Sequence, residues 1–437
     1  MKSMLSLTCW TAMMAGQSAN ASMQREQANS RFSLSLLNAN ALSSLPGARR
    51  LSGVIPSSVA LKSIRTPVLG FILKRSVDRH SIALPYSDVR PRLAESEQAR
   101  SAFELYAQKK GSEADNKECH RQSIASLQNM IMASPEKAIV QERDYHRYLE
   151  YYQLLPVLDI ASTELTVLPV HQERIALQTF RPKQQGVARE VVLLHGYQDH
   201  VGVHHAVIHG LLRKGYMVRA FDFQGHGLST GSRCAISSFD RYLDALEAVL
   251  NQVSNPKHVQ FVAHSTGCSV LINHLLKKGE INPTVMIGPL IRNRSYDQGV
   301  KLYRIAEKLA LRRGIDVDNA AKPVPDNVVI DSRDHANIEF AKEDPLRGRL
   351  LTASWFGALI RWQEALGEMP NNRDAQPLII QGSEDKVVNF EYNLPILEQK
   401  FSRAEVKMWQ GVGHQIMSDK PEAVNQLLKE IGDYFDH

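Results

Sequence analysis

From about residue 160 onward, short apolar runs alternate with longer amphipathic stretches. Apolar runs of this length are typical of strands buried in a parallel sheet, and the stretches that follow them have helical spacing. Two longer segments, 164–170 and 174–180, come first and predict a pair of meander strands. The buried strands predicted after them are 191–194, 217–221, 259–263, 285–289, 378–381 and 406–409. This order predicts an α/β fold, a mostly parallel open sheet flanked by helices.

Two further regions complete the predicted organisation. Residues 91–157 are predicted to form a helical extension, in which the polar stretch 111–118 separates two helices. Tyrosines at helical spacing near its end predict packing against the neighbouring domain, which is assigned to residues 158–437. Within that domain, an insertion at about 290–369 follows the sixth strand and contains two more helical stretches.

Composition adds information mainly on the first 90 residues, which are assigned as a basic, serine-rich leader. They contain eleven Lys or Arg against three Asp or Glu, whereas the rest of the chain has 41 against 43. The net charge of +6 therefore belongs to the leader, and the body lacks the basic patch that nucleic-acid binding needs. Residues 4–16 and the small-residue site that ends at Ala21 resemble a weak secretory signal. A transit segment, a disordered tail and an electrostatic membrane anchor are the alternatives, so a cytoplasmic, peripheral-membrane or exported protein stays open.

Several other kinds of site are not expected. The four cysteines are scattered and include no CxxC pair, so they predict neither a disulfide framework nor a zinc centre. The pairs His200/His204 and His205/His209 have helical spacing, but no HExxH motif accompanies them, and no metal is predicted. No run approaches the roughly 20 apolar residues that span a bilayer.

Side chains that support nucleophilic catalysis follow the predicted strands, at the edge where open α/β sheets bind ligands. Ser265 lies between a strand and a helix, with a small residue two positions to either side, as in a nucleophile elbow. Asp385 and His414 follow two later strands, in the order serine, acid, histidine. A serine becomes nucleophilic when a neutral imidazole accepts its proton, and a carboxylate orients that imidazole. We therefore expect Ser265 as nucleophile, His414 as base and Asp385 as acid, with Glu384 as the alternative acid.

Two loops are expected beside this serine. A His-Gly pair leaves the strand 191–194, so the backbone N–H of Tyr197 is predicted to join that of Thr266 in an oxyanion hole. A plain turn is the alternative for this pair. Asp222 and His226, in a loop with two glycines, are expected to make loop hydrogen bonds and to take no part in chemistry.

Together these residues resemble the α/β-hydrolase superfamily, and within it the monoacylglycerol lipase/lysophospholipase branch of serine aminopeptidase-like hydrolases. The motifs that carry the resemblance are His195-Gly196-x-x-x-His200, Asp222-x-x-Gly225-His226-Gly227-x-Ser229-x-Gly231, His264-Ser265-x-Gly267, Gly382-x-x-Asp385, Gly413-His414, and Asp344-Pro345-Leu346 followed by Trp355. They cover about residues 160–437. Ala263 in place of the usual glycine and Gln415 in place of glutamate depart from the pattern without affecting the predicted triad.

The resemblance implies a serine hydrolase that cleaves carboxylic esters of single-chain lipids, monoacylglycerol or lysophospholipid, through an acyl-enzyme and without a cofactor. It also implies that the insertion at 290–369 is a helical cap over an acyl pocket, with Trp355, Phe356 and Trp362 as candidate substrate-binding residues. Peripheral contact with a lipid surface is one reading of the cap, and simple helix packing is the other. A thioesterase, acyltransferase, aminopeptidase or cofactor-free perhydrolase of the same fold, or a non-catalytic binding scaffold, remains an alternative.

Overall fold

The computed structural model describes residues 113–133, 142–184, 189–312, 320–323 and 331–436. The predicted leader and the start of the predicted helical extension lie outside these residues. Ten strands occur in the described part of the chain: β1 (Ala161–Val170), β2 (Glu173–Pro182), β3 (Glu190–Leu194), β4 (Met217–Phe221), β5 (Gln260–His264), β6 (Thr284–Ile287), β7 (Ala321–Pro323), β8 (Leu350–Thr352), β9 (Leu378–Gly382) and β10 (Glu405–Trp409).

Eight of these strands form one sheet in the order β1-β2-β4-β3-β5-β6-β9-β10. In this sheet order, neighbouring strands from β4 across to β10 run parallel to each other. Strand β2 runs antiparallel to both of its neighbours. The predicted mostly parallel open sheet is thus confirmed. In register, Leu194 lies beside Phe221 on β4 and beside Ala263 on β5. The carboxyl ends of the central strands therefore meet at one edge, where their loops carry the candidate site.

Helices cover both faces of the sheet. They are α1 (Glu113–Ala133), α2 (Glu142–Tyr151), α3 (Val157–Ile160), α4 (His205–Arg213), α5 (Phe239–Leu250), α6 (Thr266–Lys278), α7 (Tyr296–Leu311), α8 (His335–Glu343), α9 (Ala353–Glu368), α10 (Phe390–Lys400) and α11 (Pro421–Asp436). Alternate residues of a strand enter different cores, because successive side chains point to opposite faces. Val191 and Leu193 join the core beneath α1, α4 and α11, whereas Val192 and Leu194 join the core beneath α5, α6 and α9.

The extension before the sheet differs from the prediction in one respect. The sequence predicts that the polar stretch 111–118 separates two helices, but residues 113–118 lie within α1, which begins at Glu113; the first predicted helix lies outside the described residues. Glu, Ala and Lys are good helix formers, so polarity alone does not break a helix there. Ile124, Leu127 and Ile131 give α1 a buried face within the same core as β1 and β2.

The tyrosine-rich segment joins the extension to the sheet. The Tyr145 hydroxyl donates to Gln178 Oε1 on β2 at 3.2 Å, and Gln178 Nε2 donates to the Tyr148 hydroxyl at 2.9 Å. All three side chains are buried. The extension therefore packs on the sheet through a shared core and a buried polar link.

The insertion between β6 and β9 contains α7, α8, α9 and the two-stranded ribbon of β7 and β8. On α7, large apolar side chains remain exposed: Ile305 at 54%, Leu309 at 42% and Leu311 at 81%. The role of this insertion as a cap stays a prediction. Among the described residues, no helix has both the length and the apolar character to cross a bilayer.

Candidate active site

Ser265 occupies the sharp turn from β5 into α6. Its backbone has φ +53° and ψ −113°, a conformation that costs a non-glycine residue about 1–3 kcal/mol. The Ser265 N–H donates to the Ile287 carbonyl at 3.0 Å, which fixes the turn against β6. Gly267 permits the close approach of α6, since a Cβ there would lie 2.7 Å from the Leu194 carbonyl oxygen. This is the strand–turn–helix geometry of a nucleophile elbow.

His414 and Asp385 form a buried hydrogen-bonded pair. The Nδ1 atom of His414 lies 2.7 Å from Asp385 Oδ2. Gln381 Nε2 donates to the same oxygen at 3.0 Å, and the N–H groups of Val387 and Val388 donate to Oδ1. Because a carboxylate only accepts hydrogen bonds, Nδ1 carries the proton and Nε2 of the neutral ring is left as an acceptor. That is the tautomer that a general base needs.

The mutual attraction of His414 and Asp385 sets the direction of both pKa shifts. Burial lowers the pKa of His414, but the charge of Asp385 and the hydrogen bond to it outweigh burial, so the pKa lies above its usual value of 6.5. For Asp385, burial raises the pKa, but attraction to His414 and the hydrogen bonds to the carboxylate lower it to about 2. Asp385 is therefore ionised at neutral pH. The protonated imidazole of His414 is therefore expected to persist to a pH above 6.5.

Two contacts bring His414 to the turn that holds Ser265. The imidazole of His264 donates from Nε2 to the His414 carbonyl at 3.0 Å, and the ring centroids lie 4.7 Å apart. On the other side, a Cβ at Gly288 would lie 3.1 Å from His414 Nδ1. Gly288 directly follows Ile287, the acceptor of the Ser265 N–H. Ser265, Asp385 and His414 are thus gathered at one edge of the sheet, whereas the alternative acid, Glu384, is exposed.

The two residues of the predicted oxyanion hole belong to segments next to Ser265. Thr266 opens α6, so no acceptor within the helix is available to its N–H. Tyr197 follows Gly196, where a Cβ would lie 3.2 Å from the Cβ of Ser265. The ring of Tyr197 stacks on Trp355 with centroids 3.9 Å apart, and its hydroxyl donates to the Cys234 carbonyl at 2.8 Å. The side chain of Tyr197 therefore packs against α9 and the loop before α5.

Asp222 and His226 stabilise the neighbouring loop. Asp222 Oδ1 accepts from the Val201 N–H at 2.8 Å, and Oδ2 accepts from the Leu228 N–H at 2.7 Å. His226 Nδ1 donates to the Gln224 carbonyl at 3.0 Å, and burial lowers the pKa of His226 to about 4. Loop hydrogen bonds are the role that the sequence predicts for both residues.

The three aromatic candidates for substrate binding have different surroundings. Trp355 contacts Tyr197, as described above. Trp362 stacks on Phe239 of α5 with centroids 5.3 Å apart, and Phe356 packs against Gly299 of α7. Trp355 contacts a residue of the candidate site, whereas Trp362 and Phe356 are buried between helices.

Three residues that support Asp385 or His414 were missed in the sequence. Asp331 Oδ2 accepts from the N–H of His414 at 3.1 Å, and Arg294 Nε donates to the Asp385 carbonyl at 2.9 Å. Both lie in the insertion, where no local pattern connects them to the triad. The third, Gln381, was detectable as a polar residue in an otherwise apolar strand.

Of the two histidine pairs considered for metal binding, His205 and His209 both lie on α4, whereas His200 and His204 separate. His200 is extended, with φ −164°, and precedes the short 3₁₀ helix Val201–His204, so His200 and His204 do not share a helix face. His200 Nε2 instead lies 2.8 Å from Asp344 Oδ2. Within the described part of the chain, no group of three or more His, Cys, Asp or Glu residues could hold a metal ion.

The sheet topology and the Ser265 turn define an α/β hydrolase. A model of the serine aminopeptidase S33 family matches residues 185–421, more than half of the chain, and the chain belongs to this family. The resemblance inferred from the motifs is thereby confirmed.

Individual relatives are distant. The chain is 23% identical over 278 residues to an abhydrolase domain-containing protein of Dictyostelium discoideum, an alignment that spans 62% of this chain and only 29% of that protein. It is 26% identical over 239 residues to a monoacylglycerol lipase of Mycolicibacterium smegmatis, which covers 52% of this chain and 82% of that enzyme. A solved soluble variant of the monoglyceride lipase of Saccharomyces cerevisiae shares the fold, with a TM-score of 0.53 and 19% identity over 63% of this chain and 96% of the yeast chain.

Proposed function

We propose that this hydrolase is a serine esterase that cleaves carboxylic esters of single-chain lipids, with Ser265 as nucleophile, His414 as base and Asp385 as acid. The observation that carries this proposal is the 2.7 Å contact between His414 Nδ1 and buried Asp385, next to a serine with φ +53°. A strained serine beside an oriented imidazole is the arrangement that acyl transfer requires.

In the proposed reaction, Ser265 Oγ attacks the ester carbonyl while His414 Nε2 accepts the hydroxyl proton. The N–H groups of Tyr197 and Thr266 stabilise the oxyanion of the tetrahedral intermediate, and losing one such donor typically costs about 3–4 kcal/mol of barrier. His414 then gives its proton to the departing alcohol, which leaves an acyl group on Ser265. Water, activated by the same imidazole, releases the fatty acid and restores the serine.

Two observations support a lipid ester as the substrate. Relatives of this chain include monoacylglycerol lipases and a phospholipase of Bacillus subtilis. The exposed apolar side chains of α7, Ile305, Leu309 and Leu311, stand among lysines and an arginine of the same helix, as in helices that rest on membrane surfaces. Peripheral contact with a lipid surface is therefore part of the proposal.

Polar atoms on the two residues adjacent to Ser265, and on Trp355 next to Tyr197, also suit a bound ester or water. Among the described residues, Thr266 Oγ1, His264 Nδ1 and Trp355 Nε1 are buried and lack a hydrogen-bond partner in the protein. Buried polar groups normally find a partner, so a ligand or ordered water is expected near them.

A fluorophosphonate probe tests the assignment of the nucleophile. We expect wild type to be labelled covalently and Ser265→Ala to lose the label, while Ser237→Ala, which alters an exposed serine, keeps it. Equal labelling of wild type and Ser265→Ala would exclude Ser265 as the nucleophile. An absence of labelling in wild type would favour the non-catalytic scaffold.

A further inference from the structure

A residue of the insertion joins the two loops that carry Asp385 and His414. Asp331 Oδ2 accepts from the Lys386 N–H at 3.1 Å and from the His414 N–H at 3.1 Å. Lys386 directly follows Asp385, so a single carboxylate oxygen contacts the backbone of both loops. These loops follow different strands, β9 and β10, and Asp331 bridges them.

Nearer the sheet, the two loops contact each other directly. The N–H of Glu384 donates to the Val412 carbonyl at 2.9 Å. At Lys386 and His414 the link passes through the carboxylate of Asp331. Asp331 therefore extends the connection between the loops to the positions next to the paired side chains.

The backbone around Asp331 fits closely against the loop of His414. The Asp331 carbonyl accepts from the Gln415 N–H at 3.2 Å. At Gly413, a Cβ would lie 3.1 Å from the Asp331 carbonyl oxygen and 3.2 Å from its Oδ1, closer than ordinary van der Waals contact. The glycine before His414 thus leaves the space that Asp331 occupies.

The segment that follows Asp331 is itself attached to the chain beyond the β10 loop. The Arg333 N–H donates to Asp419 Oδ1 at 3.1 Å, and Arg333 Nε lies 3.3 Å from Oδ2. Asn337 Nδ2 donates to the Ser418 carbonyl at 2.9 Å. Because the segment has several attachments, the carboxylate of Asp331 has a defined position.

Asp331 also affects the charge of the imidazole. Burial is the largest influence on the pKa of His414 and lowers it, whereas three carboxylates raise it, in decreasing order Asp385, Asp331 and Asp199. On the other side, the ring of His264 packs against that of His414. Burial and the charge of His414 lower the pKa of His264 to about 3, so His264 stays neutral and does not oppose the carboxylates.

We propose that Asp331 is a positioning residue, which holds the loops of Asp385 and His414 at the separation at which their side chains pair. It acts through the backbone of the two loops and takes no proton in the reaction. A misplacement of about 1 Å in a catalytic group can cost about 10²-fold in rate. The inference rests on the proposed function, because only a working triad gives this separation a catalytic consequence.

Two substitutions of Asp331 separate its hydrogen bonds from its charge. Asp331→Ala removes both, whereas Asp331→Asn keeps an oxygen that can accept from both N–H groups. With p-nitrophenyl butyrate as substrate, we expect Asp331→Ala to lower kcat by about 10²-fold with little change in KM, since the residue does not bind the substrate. Asp331→Asn should recover most of that loss.

The pH profile is a readout that a purely structural role would not move. Asp331→Asn removes a charge that raises the pKa of His414, so the acid-side inflection of kcat/KM should move to lower pH. Asp334→Asn is the matched control, with the same change of charge three residues further along. Asp334 caps α8 by accepting from the Ala336 N–H at 2.9 Å, and asparagine caps a helix about equally well. The control should therefore leave kcat and the inflection unchanged.

Wild-type kcat in Asp331→Ala would overturn the inference. So would an inflection that Asp331→Asn moves no further than Asp334→Asn does, because a carboxylate at the His414 N–H must also act on the imidazole. Circular dichroism of each variant measures the folded fraction, and a loss of kcat that only matches a loss of folded protein would overturn the inference as well.

An NMR titration of His414 tests the inference without turnover. Histidines are isotope-labelled at Cε1, and the His414 signal is assigned by its absence in His414→Gln. We expect the pKa of His414 to be lower in Asp331→Asn than in wild type and unchanged in Asp334→Asn. An unchanged titration in Asp331→Asn would overturn the inference whether or not the protein is an esterase. Failure of the proposed function has a different signature, a wild type that neither hydrolyses the ester nor takes the fluorophosphonate label.

Discussion

At the scale of single residues, burial distinguishes the two acids that the sequence left open. Asp385 is buried and bonded to His414, while the adjacent Glu384 is exposed. Both side chains follow the same strand; the sequence favours Asp385 with Glu384 as the alternative, and the fold of the loop separates the two. The N–H groups of Val387 and Val388 make the difference, because they turn the loop so that Asp385 points inward.

The pH profile of activity follows from the pKa of His414. Protonation removes the lone pair that accepts the serine proton, and Asp385 raises the pKa above 6.5. A raised pKa means that the inactive imidazolium persists to higher pH. We therefore expect kcat/KM on a soluble ester to fall on the acid side with an inflection above pH 6.5.

Asp385→Asn removes the carboxylate that raises this pKa. We expect the inflection to move to lower pH and kcat to fall by about 10⁴-fold, as for loss of the orienting acid in other triads. Glu384→Gln alters the neighbouring exposed acid and should leave the profile unchanged. An inflection at or below pH 6.5 that Asp385→Asn does not move would contradict the assigned pair.

At the scale of elements, the central strands were predictable because buried strands consist largely of consecutive apolar residues. The predicted 217–221 coincides with Met217–Phe221, and 378–381 falls within Leu378–Gly382; both strands are buried throughout. The packing partners of the N-terminal helices were harder to predict from the sequence. Contacts such as Tyr145 with Gln178 join residues 33 positions apart, and helical spacing does not indicate which partner a tyrosine meets.

A buried link between the extension and the insertion gives an element-scale prediction. The Tyr152 hydroxyl, just after α2, donates to Asp344, and the Tyr152 ring lies 4.9 Å from His200. A hydrogen bond to a buried charged group contributes about 1.5–3 kcal/mol. We expect Tyr152→Phe to lower the free energy of unfolding in urea by about that amount.

Tyr151→Phe is the matched control for Tyr152→Phe. Its hydroxyl makes a long, exposed contact of 3.5 Å with the Glu343 carbonyl, so its loss should cost little. Fluorophosphonate labelling of Ser265 should persist in both variants. Equal destabilisation by the two substitutions would show that the buried hydrogen bond to Asp344 does not stabilise the fold.

At the scale of the whole molecule, charge and chemistry lie in different parts of the chain. The family match spans residues 185–421, and every residue of the candidate site falls within it. The positive charge is concentrated in residues 1–90, outside the described residues. The two proposed modes of membrane contact, by the leader and by α7, are therefore separable, since one would depend on charge and the other on apolar side chains.

Vesicle binding separates these two contributions. Each Lys or Arg near an anionic membrane surface contributes about 1 kcal/mol, and at 1 M salt the Debye length falls to about 3 Å. We expect the full chain to bind anionic vesicles more strongly than a chain that begins at residue 91, and the difference to vanish at high salt.

Binding that remains in both chains would come from α7, and Ile305→Ser with Leu309→Ser should weaken it. Equal labelling of Ser265 in both chains is expected, because the site lies in the near-neutral body. Equal vesicle binding at low salt would exclude the leader as an electrostatic anchor.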